Sequence, residues 1–140
     1  MNALLTHLAA HPYLVGAALL ALVVVAVVEF RLSAQAFAAV GPLEAVRLAN
    51  AGALLLDVRA VEAYAAGHLA GARNLPSGAI ANGAQQLEKW KTKPIVVYCD
   101  SGLTSGAAAR HLQRLGFTEV KNLRGGVTAW KADNLPVIKA

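Results

Sequence analysis

The chain turns on the stretch IVVYCDSGLTSGAAARHLQRLGF, Ile95 to Phe117. After Pro94, the run Ile95-Val96-Val97-Tyr98 reads as a short buried strand. The apolar spacing from Ser105 to Leu115 predicts a helix closed by Gly116. Between them lies CDSGLTS, Cys99 to Ser105, so the chain's one cysteine sits where a strand ends and a helix is about to begin. Gly102 and the small residues Ser101, Thr104 and Ser105 let the loop curl until its backbone N–H groups converge on the sulfur. Such a nest, at the positive end of a helix, favours an anion. It depresses a thiol pKa and holds a thiolate or a persulfide. The same residues also allow an inert buried cysteine, the commoner fate of a free one. The loop alone leaves both readings open.

The flanks narrow the choice. LLLDVRAVEAYAAGHLAGARNLP, Leu54 to Pro76, ends a strand in Asp-Val-Arg and continues with Gly-His-x-x-Gly-Ala-x-Asn-x-Pro. NLRGGVTAWKADNLPV, Asn122 to Val137, carries Gly-Gly-x-x-Ala-Trp and a closing Leu-Pro-Val. In this order around the cysteine loop, the motifs resemble those of the rhodanese family, over roughly residues 38 to 138. The resemblance implies a rhodanese-like α/β domain with a mostly parallel central sheet flanked by helices. It also implies an activity in which Cys99 takes a sulfane sulfur, becomes a persulfide and passes the sulfur to a nucleophile.

At 140 residues there is room for one domain of ordinary size. Hydrophobic residues make up 56% and the mean hydropathy is +0.48, too high for an average soluble domain. The excess sits at the N-terminus, where Tyr13 to Val28 contains only Tyr, Leu, Val, Gly and Ala. As a helix this run covers about 24 Å, and Pro12 and Phe30 extend it toward the ~30 Å hydrocarbon core. Its Leu and Val residues are worth roughly 3–6 kcal/mol of insertion free energy. The expected layout is an N-terminal segment 1–31 with a transmembrane helix over about 12–30, a linker 32–37, and a rhodanese-like domain 38–140.

Ala34-Gln35-Ala36 has the form of a signal-peptide cleavage site, but residues 1–12 carry no Lys or Arg, and Glu29 and Arg31 intrude before it. A retained anchor is therefore expected. All 13 Lys and Arg residues lie at position 31 or later. The positive-inside rule then places the domain in the cytoplasm of a cell whose inner membrane it spans once. A single cysteine forms no internal disulfide, which suits a reducing compartment, and supplies no resolving thiol for dithiol chemistry.

Along the domain, Pro42 with Glu44 in the first turn starts a helix that stops at Asn50-Ala51-Gly52. Ala53 to Leu56 reads as a strand covered on both faces. Val61–Ala66 is a short helix, Ala72–Leu75 a strand, Pro76–Ile80 a helical turn and Gln85–Trp90 a short helix. A strand near Val120–Leu123 and a helix near Val127–Ala132 complete an alternation that argues for a parallel sheet.

The expected anion-binding loop is Asp100, Ser101, Gly102, Leu103, Thr104 and Ser105, with Cys99 catalytic and Asp57 and Arg59 supporting. Lowering a thiol pKa from about 8.5 to about 6.5 requires about 2.7 kcal/mol in favour of the thiolate. A helix terminus supplies only ~0.3–1 kcal/mol at an exposed site, so most must come from loop amides. Asp100 acts the other way. The commonest family pattern has arginine where this chain has Thr104, so thiosulfate is expected to be a poor donor and a persulfide a better one. A Cys-x5-Arg phosphatase is disfavoured, because the arginine position is Ser105.

Other residues read as structural. Asp57 and Arg59 form an ion pair, His68 caps and packs a turn, and Trp130 belongs to the core, while Gly125 and Gly126 allow a tight approach to the loop. His7 and His11 lack a third metal ligand, and no metal or cofactor is expected. The basic run Lys89 to Lys93 is a solvated helix end or a lipid-headgroup contact. No motif supports nucleic-acid binding. Two functions remain: a membrane-anchored sulfurtransferase or persulfide carrier, and a catalytically weak or inactive module docking a protein at the membrane. The partners implied are the bilayer, a sulfane-sulfur donor, a thiol acceptor (small molecule or protein) and, in the second reading, a membrane protein.

Overall fold

The computed structural model describes residues 1–37 and 39–140, with side chains described outside 33–38. The chain divides into two compact units, Met1–Phe37 and Ala38–Ala140.

The first unit holds α1 (Asn2–Ala10) and α2 (Pro12–Phe37). Pro12 lacks the N–H that would continue α1 and is well placed to start α2. Pro12–Leu32 has a mean hydropathy of 2.5, with none of it buried against protein, and is long and apolar enough to cross a membrane. The helix continues through the residues expected to form a linker, 32–37. Neither Gly nor Pro occurs between Gly16 and Gly41, so nothing local ends it at the membrane boundary.

The second unit contains β1 (Ala39–Val40), α3 (Pro42–Asn50), β2 (Leu54–Asp57), α4 (Val61–Ala66), β3 (His68–Leu69) and β4 (Arg73–Asn74). A 3-10 turn (Ser77–Ala79), α5 (Ile80–Gly83) and a 3-10 helix (Ala84–Trp90) lead into β5 (Ile95–Tyr98). Then come α6 (Leu103–Arg114), β6 (Val120–Leu123), α7 (Gly126–Ala132) and β7 (Val137–Ile138). The main sheet has the order β1-β6-β5-β2-β4 and every pairing in it is parallel, while β3 and β7 form a separate antiparallel pair.

All residues of β2 and β5 are buried, as strands covered on both faces require. Strand alternation sends Leu54, Leu56, Ile95 and Val97 to one face, against Ala108 and Leu112 of α6. Leu55, Val96 and Tyr98 go to the other, with Ala45 of α3 and Val127 and Trp130 of α7. Cys99 follows the alternation of β5 and joins the α6 face.

Three expectations shift. The helix after the cysteine begins at Leu103 rather than Ser105, because Gly102, at φ 97°, turns the chain directly into it. The 72–75 strand contracts to Arg73–Asn74. The two-residue strands β1, β3 and β7 were not expected, being too short to carry a period-2 pattern.

The second glycine of Gly125-Gly126 fixes the seat of the cysteine loop. Gly126 is buried at φ 56°, and a Cβ there would lie 2.7 Å from the Asp100 carbonyl carbon and oxygen. The close approach lets Val127 N–H donate to the Cys99 carbonyl (2.9 Å) and Thr128 N–H to that of Asp100 (3.1 Å). Gly126→Ala is expected to destabilise the domain by about 2–4 kcal/mol, from left-handed strain plus overpacking, as measured by urea unfolding. A loss below 0.5 kcal/mol, on the order of an inert surface change, would contradict this account.

Candidate active site

Parallel pairing sets Asp57 beside Tyr98, so the chain leaving β2 and the chain leaving β5 emerge at the same sheet edge. Ligands of parallel α/β sheets collect outside these carboxyl ends. A half-open cavity of about 410 Å³ lies there, lined among others by Val58, Arg59, Ala63, Ser77, Cys99 and Thr104.

Cys99 is 4% exposed, and its Sγ accepts N–H groups from Gly102 (3.1 Å) and Ser105 (3.4 Å). Gly102 places its amide by entering α6 from the left-handed region, and α6 brings its N-terminal end to the sulfur. Burial pushes the Cys99 thiol up, but hydrogen bonding by the Ser105 hydroxyl and by the N–H groups of Ser105, Gly102 and Ser101 outweighs it, leaving the thiol below its ordinary value. The hydroxyl has one proton, which here goes to Asn122 Oδ1 at 2.6 Å. The amides are therefore the standing donors, and the hydroxyl reaches the sulfur only by turning away from Asn122.

Asp100, Ser101 and Thr104 line the cavity with Cys99. Gly102 and Ser105 act from behind the sulfur, whereas Leu103, 83% exposed, is not among the lining residues. Asp57 lies beneath, fully buried, and acts through Arg59. Arg59 Nε lies 3.0 and 3.1 Å from the Asp57 carboxylate oxygens, and Nη2 donates to Oδ2 at 2.7 Å and to the Gly67 carbonyl at 2.7 Å. Nη1 reaches Asp100 Oδ1 at 3.3 Å. The Asp57 hydrogen bond, against the opposing effect of burial, raises the guanidinium further above its ordinary pKa. Among the described residues Arg59 is the one cation lining the cavity, and its charge is already met by two carboxylates.

Arg59 and Asp100 are 41 positions apart in sequence, yet Arg59 contacts this neighbour of Cys99. Asn122 was missed as part of the site. Its signal was a polar residue inside the strand VKNL, where an apolar one is usual.

Other candidates lie elsewhere. His68 donates from Nδ1 to the Tyr64 carbonyl (2.9 Å), which can only accept, and stacks on the Tyr64 ring at 3.8 Å. Trp130 is buried, and its indole N–H donates to Pro136 O at 2.9 Å. His7 and His11 are edge-to-face at 6.2 Å, and no group of three or more metal-ligating side chains gathers among the described residues.

Comparison with known proteins agrees with this geometry. The rhodanese-like domain matches residues 42–133. The Escherichia coli strain K12 protein YibN is 35% identical over 141 aligned positions, covering 99% of both chains. The thiosulfate sulfurtransferase GlpE of Stutzerimonas stutzeri is 34% identical over 97, covering 68% of this chain and 85% of that one. A rhodanese-like domain from Anabaena superposes with a TM-score of 0.66 at 28% identity, covering 74% of this chain and 80% of its own. By the match, the motifs and the fold together, the chain belongs to the rhodanese-like domain family.

Proposed function

We propose that this protein is a membrane-anchored sulfurtransferase or persulfide carrier, with Cys99 as its sulfur-carrying nucleophile. The observation that carries the reading is the pair of N–H groups on Cys99 Sγ at the floor of an open cavity. In the first step the thiolate attacks the outer sulfur of a donor R–S–SH. A Cys99 Sγ–S bond forms, the donor S–S bond breaks, and R–S⁻ leaves with the electron pair and takes up a proton. In the second step an acceptor thiolate attacks the outer sulfur, and Sγ leaves as the thiolate that the amides already favour.

Charge decides the donor class. Arg59 is committed to Asp57 and Asp100, and Thr104 offers one hydroxyl. A dianion such as thiosulfate therefore meets an exposed carboxylate and, among the described residues lining the cavity, no free cation, whereas a persulfide needs neither. The N-terminal helix supplies the anchor, and the absence of Lys and Arg before position 31 supports a single pass of the bacterial inner membrane with the domain in the cytoplasm.

Treated with a persulfide donor, the full chain is expected to gain about 32 Da per sulfur atom, to lose it to cyanide or excess thiol, and to gain nothing as Cys99→Ser. No mass gain from any donor, with normal cellular function in Cys99→Ser, would favour the docking module instead. For thiosulfate, Thr104→Arg and Asp100→Ser are each expected to raise kcat/KM by about tenfold, about 1.4 kcal/mol of charge-assisted bonding. The second variant should act by freeing Arg59 Nη1, and unchanged kinetics in both would remove loop charge as the determinant. A membrane-impermeant maleimide is expected to label Cys99 only after spheroplasts are opened. Labelling in closed spheroplasts would reverse the orientation.

A further inference from the structure

Asn122 lies in β6 with Val97 of β5 on one side and Ala39 of β1 on the other. An amide inside a parallel sheet needs partners for both of its ends. Both partners belong to the cysteine loop. Asn122 Nδ2 donates to the Gly102 carbonyl at 3.0 Å, and Oδ1 accepts the hydroxyl of fully buried Ser105 at 2.6 Å. The orientation follows from chemistry: a carbonyl only accepts, so the NH₂ faces Gly102 and the oxygen faces the hydroxyl.

The two residues that Asn122 holds are the two whose N–H groups meet Cys99 Sγ. We propose that Asn122 is a positioning residue for Cys99, clamping Gly102 and Ser105 from the sheet so that both amides stay aimed at the sulfur. Without the clamp, the Gly102 carbonyl keeps only the Gly106 N–H at 3.1 Å, and residue 102, whose own N–H is the sulfur's closer donor, loses its tie to the sheet. The inference concerns the acidity of Cys99, and it rests on the sulfur-carrying reading only for the use to which that acidity is put.

The test is the pH dependence of Cys99 alkylation by iodoacetamide in the full chain. It needs no sulfur donor, so its result is independent of whether sulfur is transferred. Thiolate accumulates as pH rises through the thiol pKa. Removing Asn122 also releases the Ser105 hydroxyl toward the sulfur, so the comparison is made in a Ser105→Ala background. There Asn122→Ala is expected to raise the midpoint by about one unit, a tenfold fall in the thiolate-to-thiol ratio at lower pH. Asn122→Val, β-branched and suited to a strand, should shift it the same way if the alanine variant folds poorly. Ser105→Ala alone keeps the clamp on Gly102 and should give a smaller rise than the double variant. Asn122→Ala alone should raise the midpoint by less than it does in the Ser105→Ala background, because the freed hydroxyl partly replaces the lost donor. A lowered Tm with an unmoved midpoint on adding Asn122→Ala to Ser105→Ala would overturn the proposal.

Discussion

The buried pair between Asp57 and Arg59 is the interaction on which the active end of this domain depends. Asp57 is fully buried and the Arg59 side chain is 9% exposed, so neither charge is tolerable alone. Removing one partner of such a pair costs about 3–5 kcal/mol, although the intact pair adds little net stability. Its value is geometric. The guanidinium holds the end of β2, the Gly67 carbonyl before β3, and Asp100 beside the cysteine. Asn74 secures the same corner from β4, donating to the carbonyls of Asp57 (3.1 Å) and Arg59 (3.0 Å).

The cysteine loop is then held from three directions. Arg59 meets Asp100 from the β2 side. The start of α7 donates to the Cys99 and Asp100 carbonyls, which the absence of a Cβ at Gly126 permits. Asn122 holds Gly102 and Ser105 from β6. The sulfur sits inside this frame with two amides on it, and the frame leaves little freedom for the amides to turn away. A thiolate held by backbone donors requires such restraint, because one or two net hydrogen bonds offset the burial of the sulfur only if they stay made.

The same frame decides what an anion would meet at this cavity. The neighbours on this fold include proteins named thiosulfate sulfurtransferases, and their chemistry needs a place for an anion. Here the cavity's cation is turned inward to two carboxylates, and the loop position before Ser105 is threonine. The fold supplies Cys99 and its cradle of amides, while the side chains at the mouth of the cavity differ independently of it.

Sequence by itself determined a good deal. The β-branched run before Cys99, the glycine after it and the two flanking motifs identified the strand, the loop, the helix and the family, because each is written in contiguous residues. The apolar run of α2 was equally plain, since a membrane-length helix is a statement about composition. What sequence could not supply was adjacency. Arg59 and Asp100 are separated by 41 positions, and Asn122 and Ser105 by 17. They meet because β2 and β6 pair on either side of β5, and a parallel order is set by non-local packing of both sheet faces. The strands of two residues were likewise decided by tertiary contacts, which override weak local signals. Sequence thus singled out Cys99 and its loop, and only the assembled sheet decided which side chains hold them.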